Sequence, residues 1–149
     1  TSNDLGLKIS NNIVHLRATT PTRDPKIVDE AIKIFQSCKE ASSLRSAHLS
    51  KEVPYKWFRE DNGFFKSLFD DKNTVDIQNM PRQQFPKSYI PNGYVDIVKS
   101  TIISKENLFH GNKIKAFLTD KVIDIDNFED LEKARKDSTL HNLSKKIIS

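Results

Sequence analysis

The chain has 149 residues, 36% of them hydrophobic, and 24 Lys and Arg against 20 Asp and Glu give a formal net charge of +4. That length suits one domain with its own core, no apolar run approaches the span of a bilayer, and nothing at the start reads as a charged-then-apolar leader. A single cysteine, Cys38, excludes an internal disulfide and a multi-cysteine zinc site, and the expectation is a soluble cytoplasmic protein with no membrane partner.

The first ten residues read as a loop or helix end feeding a strand, Asn12 to Arg17, and the turn Ala18-Thr-Thr-Pro-Thr-Arg23 follows it. Asp24-Pro25 then opens a helix, an acid at the cap and a proline in the first turn, with Ile27, Ala31, Ile34, Phe35 and Cys38 on one apolar face. Cys38 on that face is a buried thiol rather than a nucleophile. Ser42 to Leu49 reads as a second strand, and Lys56 to Arg59 with Phe64-Phe65 reads as a hairpin turning at Asp61-Asn-Gly63. From Asp70 to Pro91 the chain is polar and punctuated by Pro81, Pro86 and Pro91, the signature of an extended arm. Tyr94 to Val98 returns as a strand, Ser100 to Asn107 as a short helix and Lys113 to Leu118 as a strand. Phe128 to Lys136 closes the order as a helix, and 143–149 reads as a frayed end. Strand, loop and helix in alternation predict an α/β fold.

Between the last strand and the last helix lies Val122-Ile-Asp-Ile-Asp-Asn127. Were this run a strand, Asp124 and Asp126 would share a face, two like charges side by side unless a hard cation such as Mg²⁺ lies between them. The competing reading is a strand end whose Asp126 or Asn127 caps the last helix, Asn127 and Asp130 forming a weak capping box. Taken alone the spacing favours the cap. Its place beyond a strand's carboxyl end, like that of Thr19 to Arg23, is where α/β sheets bind ligands, and this favours chemistry.

Gly6, Gly63, Gly93 and Gly111 are not clustered, so the chain holds no phosphate-cradling glycine loop. Basic and acidic residues are mixed, and aromatic and basic residues are not interleaved as on a nucleic-acid module. The mild basicity suits a phosphate-bearing small ligand, and no nucleic-acid partner is expected.

His15-Leu-Arg-Ala-Thr-Thr-Pro-Thr-Arg23, Pro54-Tyr-Lys56, Pro81-Arg-Gln-Gln-Phe-Pro86 with Pro91-Asn-Gly93, and Ile123-Asp-Ile-Asp126 resemble, in order, motifs of the acylneuraminate cytidylyltransferases, or CMP-sialic acid synthetases. The resemblance runs from about residue 11 to 135 and omits that family's N-terminal region, whose Gly/Arg/Lys-rich loop grips the CTP triphosphate. Residues 1–149 then correspond to the C-terminal portion of a single cytidylyltransferase domain. The implied fold is a Rossmann-like mixed sheet with flanking helices, of the nucleotide-diphospho-sugar transferase type, with a projecting dimerisation and sugar-contact arm over about 70–98. The implied partners are CTP, an acidic nine-carbon sugar and a second subunit in a homodimer, in the synthesis of cell-surface polysaccharide.

The resemblance implies that Asp124 and Asp126 hold Mg²⁺ against the triphosphate as CMP-sugar and pyrophosphate form. Arg17, Lys56 and Arg82 match substrate-contacting positions, Thr19 shapes the loop under the ligand, Gln83 and Asn92 are polar contacts, and Phe109 lines the pocket for the sugar's acyl groups. Two positions depart from the family pattern: Arg17 stands where many members have Gln, and Asp96 stands near a common Tyr. Both point to a related nonulosonic acid of the legionaminic or pseudaminic type. Alternatives are a cytidylyltransferase for another acidic sugar, a glycosyltransferase using Asp-x-Asp with Mn²⁺, and a non-catalytic binding or dimerisation module. The chain as it stands is expected to be inactive on its own, for want of the loop that grips the triphosphate.

Overall fold

The computed structural model describes residues 11–69 and 75–137, so the expectations for the first ten residues and for 143–149 lie outside the described residues. The chain divides into two compact units, Thr1–His48 with Pro91–Ser149, and Leu49–Ile90.

The first unit carries a four-stranded sheet in the order β1 (Asn12–His15), β5 (Tyr89–Lys99), β2 (Ser43–Leu49), β6 (Ile114–Leu118). β1 pairs antiparallel with β5, and β2 pairs parallel with β6. Lys99 N–H donates to Ser42 O at 3.2 Å and Val95 N–H to Ser46 Oγ at 2.9 Å, so β5 also runs against β2. The sheet is therefore mixed: β1, β2 and β6 point one way and β5 is inserted against them. Every residue of β5 from Asn92 to Val98 is buried, as expected of a strand covered on both faces.

Helix α1 (Pro25–Ser37) links β1 to β2. Asp24 caps it by accepting from Lys26 N–H at 2.9 Å, and Pro25 supplies a preset φ where no N–H is needed. Its apolar stripe buries Ala31 and Phe35 against Leu44, Val95, Ile97 and Phe117. Each fully buried aliphatic side chain here stabilises the fold by roughly 1.5–3 kcal/mol. Helix α2 (Ser100–Glu106) follows β5 and ends at Asn107 in the left-handed region, φ 52°. Helix α3 (Phe128–Lys136) starts at Asn127, whose side-chain oxygen accepts from Asp130 N–H at 2.9 Å. The cap read from the sequence is present.

The second unit is built on a hairpin, β3 (Phe58–Asp61) and β4 (Phe64–Ser67). Asn62 and Gly63 have φ of 54° and 84°, the paired positive values of a tight hairpin turn. Short 3-10 turns at Pro54–Lys56, Val75–Asn79 and Arg82–Gln84 make up the remainder.

The stretch expected as an arm, about 70–98, is divided. Residues 75–90 belong to the second unit together with 49–69, whereas Asn92 to Val98 lie buried in the central strand of the first. Among the described residues no helix is long and apolar enough to cross a membrane.

Candidate functional site

The carboxyl ends of β1 and β6 open into two irregular segments, the turn Leu16–Thr22 and the stretch Thr119–Asn127. Ile125 N–H donates to Thr19 O at 2.8 Å, tying one segment to the other. The second tie is Asn92, at the start of the buried run of β5. Its amide donates to Thr119 Oγ1 at 2.6 Å and to Asp120 O at 3.2 Å, while its oxygen accepts from Tyr94 N–H at 3.3 Å.

Arg23 fixes the turn from below. Its guanidinium donates to Tyr94 O at 2.6 Å, to Gly93 O at 3.1 Å and to Arg17 O. Burial lowers its pKa, and the nearby Tyr94 and Asp124 groups oppose that shift. A guanidinium remains charged in any such setting, so Arg23 brings a fixed positive charge to Asp124.

The stretch containing Asp124 and Asp126 is not a strand. No regular structure spans 119–127: Thr119 N–H still donates to Ala47 O of β2 at 3.0 Å, but beyond it Asp120 O accepts from the Asn92 side chain and Ile125 N–H turns to Thr19 O. The alternation that would put both acids on one face is absent. Asp124 is half-buried, with a buried Oδ1 that has no hydrogen-bond partner, whereas Asp126 is exposed. Among the described residues no group of three or more His, Cys, Asp or Glu side chains is placed to hold a metal ion. Two carboxylates with phosphate oxygens and water still satisfy Mg²⁺, and the orphaned Asp124 oxygen is an acceptor of the kind such an ion takes.

Arg17, Thr19, Asn92, Phe109, Asp124 and Asp126 all lie in the first unit. Thr19 is exposed and contributes its carbonyl to the tie with Ile125. Asn92 is buried, and the bonds to Thr119, Asp120 and Tyr94 occupy its amide, which makes it an organiser of the site rather than a ligand contact. Phe109 stands half-exposed in the loop after α2, edge-on to His15 with ring centroids 5.8 Å apart.

Lys56, Arg82 and Gln83 lie in the second unit. Lys56 Nζ sits 5.9 Å from the centroid of the Phe85 ring, which in turn stacks with Tyr55. Arg82 donates to Lys51 O, and Gln83 is exposed on its short turn.

Sequence reasoning gave no role to Arg45 and His110. Arg45 Nε lies 3.6 Å from Asp96 Oδ1, and His110 Nδ1 is 3.3 Å from Ser43 Oγ. A charged residue inside a strand, as at Arg45 and Asp96, was the available signal. No family model matches the sequence, and no curated protein matches it.

Proposed function

We propose that the chain is part of a cytidylyltransferase that activates a nonulosonic sugar acid with CTP. In this reaction the anomeric oxygen of the sugar bonds to the α-phosphorus, the bond to the bridging oxygen breaks, pyrophosphate leaves, and the hydroxyl proton passes to solvent or a base. The observation that carries the reading is the tie between Ile125 N–H and Thr19 O, which brings the Asp124 stretch against the turn at the carboxyl ends of parallel strands. Ligands of open α/β sheets occupy that position.

Within this reading the mixed sheet is a Rossmann-like sheet of the nucleotide-diphospho-sugar transferase type. Asp124 and Asp126 would hold Mg²⁺, which when bound neutralises charge on the phosphates. The half-exposed Phe109 offers an apolar wall to acyl groups of the sugar. In this reading subunit contact falls to the second unit, where Phe64 and Phe65 are 74% and 72% exposed on the hairpin.

A specific observation favours the non-catalytic alternative. Arg23 and Arg82, two of the cations available for anionic ligands, donate to main-chain carbonyls. A triphosphate requires basic side chains or backbone N–H groups beyond these. The test is pyrophosphate release with CTP, Mg²⁺ and a panel of nonulosonic acids, alongside calorimetric binding of each ligand. Release dependent on one of the acids supports the enzyme. Binding of the acid without release supports the module, and binding of neither ligand ends both readings.

A further inference from the structure

Strand β6 ends the sheet, and among the described residues no strand lies beyond it. Ser42 N–H donates to Lys113 O at 2.8 Å and Thr119 N–H to Ala47 O at 3.0 Å, so the odd-numbered residues from Lys113 to Thr119 turn their backbone groups to β2. Those of Ile114, Ala116 and Leu118 point outward. Side chains alternate between the two faces in the same way. Phe117 is buried against α1 with Lys115 on the same face, while Ile114 and Leu118 on the opposite face are 49% and 56% exposed. Open N–H and C=O groups beside exposed apolar side chains make such an edge a template for another strand. The two ends of the edge differ in charge. A cleft of about 450 Å³ at its carboxyl end is lined by Glu30 of α1 and by Asp120. A cleft of about 360 Å³ at its amino end is lined by Lys113 and Lys115, and Glu40 pairs with Lys113 alone.

We propose that a second copy of this chain adds antiparallel to β6 about a twofold axis at Ala116, joining two sheets into one. Outward residues must meet outward residues, and the register centred on Ala116 matches the strand along its whole length. Ala116 then meets Ala116 of the partner and Ile114 meets the partner's Leu118, each pair exchanging both N–H···O bonds. The same register makes the exposed Ile114 and Leu118 side chains cross-strand neighbours. It also sets the Lys113 and Lys115 end of each strand against the Asp120 and Glu30 end of the other, whereas a parallel arrangement would set like charges together. Pairing of this kind is isologous and closes at two copies. It is separate from the hairpin of the second unit and does not depend on the sugar-acid reading. One strand and its flanks make a small interface, so a micromolar association is expected.

The test is sedimentation equilibrium over roughly 1 μM to 1 mM, with amide hydrogen exchange read by NMR at both limits. It is run on the chain and on a Phe64→Ser/Phe65→Ser variant, which removes association through the exposed hairpin. The hairpin variant is expected to double its mass and stop there, and the Ile114, Ala116 and Leu118 amides to exchange at least ~10-fold more slowly at the higher concentration. Ala116→Pro removes an N–H that β2 does not use, and Leu118→Lys places a charge at an exposed edge position. Both should keep the fold and weaken association at least ~10-fold. A hairpin variant that stays monomeric overturns the proposal, and so does one whose mass climbs beyond two copies. Outward amides that exchange equally fast at both concentrations overturn it without any edge variant. Undiminished association in Ala116→Pro or in Leu118→Lys does so as well.

Discussion

The side chain of Arg17 lies across Gly93 so closely that a Cβ placed on the glycine would stand 2.7 Å from Arg17 Cδ and 3.2 Å from its Nε. Gly93 also has φ +66°, a conformation that costs an L-residue roughly 1–2 kcal/mol. One atom at this position therefore strains β5 and displaces the arginine. Gly93→Ala is expected to lower the denaturant midpoint by an amount equivalent to about 1–2 kcal/mol and to weaken sugar-acid binding beyond that loss. A stable Gly93→Ala chain with unchanged binding would detach Arg17 from the site.

Arg23 is expected to be the most sensitive polar position of the turn. Its guanidinium satisfies carbonyls of Arg17, Gly93 and Tyr94 from one planar group, which a lysine ammonium lacks the geometry to reproduce. Arg23→Lys should cost about 1–3 kcal/mol and Arg23→Met more, since the second also removes the positive charge beside Asp124. Urea unfolding of both variants checks the order. Equal stability of the Lys and Met variants would mean that the charge contributes nothing, and a Lys variant as stable as the unsubstituted chain that the fork contributes nothing.

Stability should fall on the acid side of neutrality through His110. Burial comes first among the causes that hold its folded pKa below 6.5, and Arg45 and Arg17 add to it against Asp96. The unfolded chain therefore takes up a proton where the folded chain does not. His110 contributes stability that is fully present above about pH 6.5 and is lost as pH falls through the lower folded value. Urea midpoints measured across that window should show the decline, and His110→Asn should flatten it. An identical pH profile in the variant would place the effect elsewhere.

Local chemistry made much of the fold readable. Asp24-Pro25 and the apolar spacing of α1 announce a helix start, Asn62-Gly63 announces a hairpin, and Asn127 marks the start of α3. Pairing across long separations left no such mark. Val122 to Asn127 reads like a strand, but the partner of its Ile125 N–H is the Thr19 carbonyl of a turn remote in sequence. Asn92 beside Gly93 reads as a polar contact or as an ordinary Asn-Gly turn, and only its place in the central strand turns it inward. The row of His15, Asp96 and Arg45 is likewise a product of strand register, which tertiary packing sets.

The two acids of the Asp124 stretch should respond differently to the same substitution. Asp126 is exposed, so Asp126→Asn should change stability by less than ~0.5 kcal/mol, as surface substitutions usually do. Asp124 lies near Arg23 with a buried, unpaired oxygen, and Asp124→Asn removes a charge that Arg23 faces in a partly buried setting. A loss of about 1 kcal/mol is expected there. Ligand binding separates a cation site from this structural role. If both carboxylates hold Mg²⁺, each variant should weaken Mg²⁺-dependent CTP binding by ~10-fold or more, with no change in CTP binding measured without the metal. Calorimetry with and without Mg²⁺ reads both quantities. Metal-dependent binding that survives in Asp126→Asn would leave Asp126 as an exposed residue at the entry to α3 and reduce the cation site to Asp124.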